Sequence, residues 1–83
     1  MGLDVVELVM TVEEHYGFTI PDAEAREMRS VGDLHRYVVD HAQPRPDSAE
    51  AWTWLRDTIE CEFGVRADRI TPEAWIVRDL GIN

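Results

Sequence analysis

Carboxylates crowd the N-terminal stretch of the chain, with Asp4 near Glu7 and Glu13 beside Glu14. Paired carboxylates perform general acid–base work only when one partner is held protonated by burial or by its neighbour. On an exposed helix nothing supplies that shift. The three histidines, His15, His35 and His41, lie on different segments and lack metal-ligand spacing, so they read as surface histidines. Cys61 stands between Glu60 and Glu62, and flanking negative charge disfavours the thiolate that a nucleophile needs. No catalytic residue and no metal site is therefore expected, which leaves recognition as the chemistry to examine.

The element that presents these carboxylates is the run from Leu3 to Tyr16. At about 100° per residue, Val5, Leu8, Val9, Val12 and Tyr16 share one arc, wide enough for the core face of an amphipathic helix. Asp4, Glu7, Thr11 and Glu14 form an acidic arc without an intervening base. Leu3, Val6 and Met10 are expected as an apolar seam on the flank away from Leu8, with Glu13 beside them. Leu3, Asp4, Val6, Glu7, Met10, Glu13 and Glu14 are thus the candidate partner-binding residues. Gly17 ends the helix at a position suited to a left-handed residue.

With 83 residues and a formal net charge of -9, the chain is one small domain that speaks against nucleic acid and anionic membrane surfaces as partners. A basic protein surface is the natural complement. The single cysteine excludes an internal disulfide and suits a reducing compartment. No apolar run approaches the roughly 18 residues of a spanning helix, and no N-terminal signal pattern is present, so a cytoplasmic location is expected.

Further along, Phe18 and Ile20 are expected to tuck a loop into the core. Residues 22–28 read as one or two helical turns. Ser30 followed three residues later by Asp33 reads as a capping box, opening a helix to about His41 with Val31, Leu34, Val38 and either His41 or Ala42 inside. Residues 43–47 carry Pro44 and Pro46, which stop that helix. Asp47 or Ser48 caps the next helix, expected to run to Phe63 with Trp52, Leu55, Ile59 and Phe63 as its inner stripe. Trp54 falls on the opposite side, either covering the long loop or facing a partner. In residues 65–83, Thr71-Pro72-Glu73 predicts a single helical turn through Trp75, anchored by Ile70, Trp75, Ile76 and Leu80.

Two stretches carry a family resemblance. Leu3 to Asp22, LDVVELVMTVEEHYGFTIPD, resembles the second helix and following loop of acyl carrier proteins, and the likeness continues to Leu34. The stretch AWTWLRDTIECEFGVRADRITPEAWIVRDLG resembles that family's first helix and long first loop, closing on Asp79-Leu80-Gly81. The order is reversed. Joining Asn83 to Gly2 would regenerate the family's junction, so the resemblance implies a circular permutation in which 1–42 corresponds to helices II to IV, 43–47 is a Pro-rich linker, and 48–83 corresponds to helix I and its loop. The implied fold is a small all-α bundle of three main helices plus short helical turns.

The resemblance also implies a function and a departure from it. The family's Asp-Ser-Leu motif, whose serine carries 4′-phosphopantetheine, aligns here with Met1, Gly2 and Leu3. Gly2 has no hydroxyl for the phosphodiester, so no cofactor is expected on this chain. The implied partners are basic surfaces of carrier-protein-dependent enzymes in fatty acid or polyketide synthesis, met by a non-enzymatic domain. A monomer is expected, with a domain-swapped dimer as the alternative. The competing reading is an acidic protein–protein interaction module unrelated to acyl metabolism.

Overall fold

A computed structural model describes residues 2–83. It is an all-α bundle: α1 is Leu3–Tyr16, α2 Asp22–Glu27, α3 Val31–His41 and α4 Ser48–Phe63, followed by a 3-10 turn at Ala67–Arg69. Among the described residues the only β pairing is an isolated antiparallel bridge between Ser30 and Trp75.

Local chemistry sets the helix ends. Gly17 and Gly64 adopt positive φ, 69° and 67°, and their amides bond back to the Glu13 and Glu60 carbonyls, which closes α1 and α4 as left-handed caps do. The capping box forms: Ser30 Oγ accepts from the Asp33 amide at 3.0 Å, and Asp33 Oδ2 accepts from the Ser30 amide at 3.2 Å. The same carboxylate accepts from the Arg29 amide at 3.1 Å. Asp47 caps α4, accepting from the Glu50 amide at 3.0 Å, and Ser48 is the first helical residue.

Leu8, Val12, Val31, Leu34, Val38, Leu55 and Ile59 form the centre of the core. Ile20 closes it from the loop, and Ala42 rather than exposed His41 continues the inner face of α3. The buried row of α4 is Ala51, Leu55 and Ile59, with Trp52 and Phe63 half-buried at its margins. The small Ala51 fits where helices approach closely. The Trp52 indole instead lies edge-on to His35, 5.5 Å between ring centroids. Trp54 has a neighbour that neither sequence alternative named: its indole stacks on His15 at 4.1 Å, with Tyr16 edge-on at 5.3 Å.

The turn opening at Thr71 closes one hydrogen bond, from the Ala74 amide to the Thr71 carbonyl at 3.1 Å, but it is not continued as a helical turn through Trp75. Carbonyls that such a turn would use are directed at the start of α3, where Pro72 O accepts from the Gly32 amide at 2.9 Å and Ala74 O from Val31 at 3.0 Å. Gly32 permits this approach, since a Cβ there would sit 2.7 Å from Pro72 O. Two anchors hold as read, Ile70 and Ile76, while Trp75 and Leu80 are half-buried and the additional anchors are Ala74 and Ile82. Trp75 is not core: the Arg78 and Arg29 guanidiniums lie 4.1 Å and 5.5 Å from its ring centroid.

Candidate functional site

The C-terminal segment arrives at the start of α1. Asp79 shapes the approach, its Oδ2 accepting from the Trp75 amide at 2.8 Å while Oδ1 accepts from Arg78 Nε at 3.1 Å. Those bonds to Arg78 and then to the Trp75 backbone hold its pKa below the ordinary carboxylate value. Ile82 is buried to 2% exposure, and Asn83 O accepts from the Val5 amide at 3.0 Å. One of the orphan donors at the α1 N-terminus is thus satisfied by the far end of the chain.

Gly2 is the N-cap residue of α1, with φ -77° and ψ 171° and no side-chain cap bond. Any L-residue could adopt this backbone, so its glycine answers to space. A Cβ built here would collide with the Asn83 carbonyl carbon and lie 2.7 Å from its oxygen. Met1 lies outside the described residues. The other serines have different surroundings: Ser30 Oγ is the α3 cap, and Ser48 faces His35, whose Nε2 is 2.8 Å from the Ser48 carbonyl oxygen and 3.5 Å from its hydroxyl.

Along α1 the candidate recognition residues separate into two groups. Leu3 and Met10 are 83% and 50% exposed, and Asp4, Glu7 and Glu14 are exposed. At helical spacing Leu3, Glu7, Met10 and Glu14 fall within one narrow stripe. Acids and apolar groups therefore alternate on the outermost line of the helix, whereas a seam beside the acids was expected. Val6 and Glu13 lie at its inner margin, both half-buried. Glu13 Oε2 accepts from the Ile20 amide at 2.7 Å, so this carboxylate pins the loop over the core. None of the four acids of α1 forms an ion pair among the described residues. The charge of exposed Asp4, Glu7 and Glu14 is left uncompensated toward solvent.

This surface offers charge and apolar contact, and it has no convergent set of reacting groups. Among the described residues no three His, Cys, Asp or Glu side chains gather as a metal site. Cys61 is exposed and free. Among the described residues no helix is long and apolar enough to cross a membrane. Sequence reasoning missed Ile82 as a buried anchor, whereas the closeness of Asn83 to Gly2, expected from the resemblance, is what the structure has.

Against known proteins, the chain is 49% identical over 40 residues, 48% of its length and 51% of the relative's, to an acyl carrier protein of Helicobacter acinonychis (strain Sheeba). About half of the chain is similar to acyl carrier proteins. That of Wolinella succinogenes is 56% identical over 37 residues, covering 45% of this chain and 49% of the relative. For Clostridium acetobutylicum the figures are 44% over 42 residues, 51% and 54%. The chain spans about half the length of the curated relatives it matches. No protein-family model and no solved structure matches it.

Proposed function

We infer that this chain is an acyl-carrier-protein-like recognition domain in circularly permuted order, able to meet carrier-protein-dependent enzymes of fatty acid or polyketide synthesis but not to carry 4′-phosphopantetheine. The observation that carries the permuted reading is the meeting of the ends: Asn83 lies against Gly2 and bonds the Val5 amide. Asp79-Leu80-Gly81-Ile82-Asn83 therefore ends where Gly2-Leu3-Asp4 begins. Support for the carrier reading comes from the relatives named acyl carrier protein. Their similarity covers about half of the chain, and the permuted order rests on the sequence likeness of both stretches, residues 3–34 and 51–81.

Loss of the arm follows from Gly2, which has neither a hydroxyl nor room for a Cβ beside Asn83. Recognition needs neither. The stripe of Leu3, Glu7, Met10 and Glu14 presents unpaired negative charge with apolar contacts, as a basic enzyme surface requires. Intact mass after incubation with a phosphopantetheinyl transferase and coenzyme A tests the chemistry. The expected mass is unchanged, and an adduct on Ser30 or Ser48 would overturn the assignment of position 2. Binding to carrier-protein-dependent enzymes tests the recognition, since an unrelated acidic module has no reason to prefer them.

A further inference from the structure

Met10 stands on the outermost line of α1, with Glu7 one turn before it and Glu14 one turn after, and it is 50% exposed. Met28, by contrast, is half-buried and packs against the core. The outer stripe has two apolar groups, Leu3 at the first helical position and Met10 between the acids. A thioether is apolar, flexible and polarisable, which suits it to an irregular apolar contact on a partner. It is also the oxidisable group of that face. The chain's one thiol, Cys61, lies apart on α4, between Glu60 and Glu62, which disfavour the reactive thiolate.

We propose, on the reading of α1 as the recognition helix, that oxidation of Met10 to its sulfoxide by hydrogen peroxide releases a bound partner. A lone pair of the sulfur forms an S–O bond to one peroxide oxygen as the O–O bond breaks, and the other oxygen leaves as water with both protons. Sulfur gives up two electrons and the peroxide takes them. Hydrogen peroxide is neutral, so the acids of α1 do not repel it, and positive charge developing at sulfur is favoured beside Glu7 and Glu14. The product is polar and chiral, and its oxygen must shed water before it can enter an apolar contact. The fold is left alone, because Met10 takes no part in the core cluster. Methionine sulfoxide reductases restore the thioether, which makes the release reversible.

The test measures binding of the full chain to an immobilised phosphopantetheinyl transferase, without coenzyme A, before and after treatment of the chain with hydrogen peroxide. Dithiothreitol then returns any sulfenic acid or disulfide at Cys61 to the thiol, and peptide mass mapping locates the sulfoxide. Met10 should oxidise roughly threefold faster than Met28 or more, as exposure dictates, and the melting temperature should hold. The sulfoxide form should leave the transferase roughly fivefold faster or more, at a nearly unchanged association rate. Methionine sulfoxide reductases A and B together should restore the slow dissociation. In Met10→Leu the same peroxide treatment should alter neither rate, which separates Met10 from any other oxidised site. Equal dissociation of the two forms, a lowered melting temperature on oxidation, or a peroxide effect that persists in Met10→Leu would overturn the switch and leave recognition standing. An untreated chain that does not bind the transferase would instead overturn the recognition reading, and the switch with it.

Discussion

Truncating Ile82 to alanine tests whether the C-terminal segment is core or covering. The side chain is 2% exposed, and its own amide bonds to the Ile76 carbonyl at 3.1 Å, so the site cannot be vacated without moving the segment. Buried Ile→Ala substitutions cost about 2–5 kcal/mol, the lower values arising where the surroundings can collapse. Residues 81–83 belong to no helix or strand and can relax inward, which favours about 2–3 kcal/mol. For a domain of this size each kcal/mol shifts the melting temperature by roughly 4–8 °C, so a fall of about 10–20 °C is expected. Thermal melts by circular dichroism measure it, with Leu3→Ala at an 83% exposed position as the surface control. Hydrogen exchange adds a local readout. Unpinning Asn83 removes the carbonyl that holds the Val5 amide, so that amide should lose protection before the centre of α1 does. If Ile82→Ala melts within about 0.5 kcal/mol of the parent, as surface changes do, the packing of the two chain ends described above is refuted.

Three further outcomes follow from the same contacts. Met10→Ala, at a 50% exposed position, should leave the melt nearly unchanged while Leu8→Ala, at 0%, costs about 2–5 kcal/mol; in binding kinetics the Met10 variant should speed dissociation from a carrier-dependent enzyme. Glu7→Lys with Glu14→Lys should slow association and flatten its salt dependence, because exposed charges act on encounter within a Debye length of about 8 Å, and unaltered kinetics would exclude this face. Burial, then the 2.6 Å bond its hydroxyl donates to Glu24, pushes the Tyr37 pKa up to about 12. With the folded pKa above the unfolded value, this contribution to stability is full below pH about 10 and is lost as pH rises toward 12; Glu24→Gln should lower the tyrosinate midpoint in an ultraviolet titration.

Helix positions and caps were legible in the residue order because they answer to short-range rules. The periodicity of Leu3–Tyr16, Gly17 and Gly64 at the left-handed positions, and the reciprocal Ser30–Asp33 bonds are all interactions within a few residues, where spacing alone places the partners. The outer face of α1 was also readable, since side chains three and four apart must share a side. Only the tertiary structure decided which of those outward groups stay free. Glu13 is taken by the Ile20 amide seven residues away, and Trp54 by His15 from another helix. Residues 70–83 show the same limit more strongly: Pro72 and Ala74 give their carbonyls to α3, and Asn83 gives its own to α1. Helix propensity cannot foresee that choice, because it weighs the bonds a segment makes with itself. A pocket lined by Arg26, Arg29 and Arg78 is likewise invisible along the chain, since it forms only when two segments distant in sequence come together.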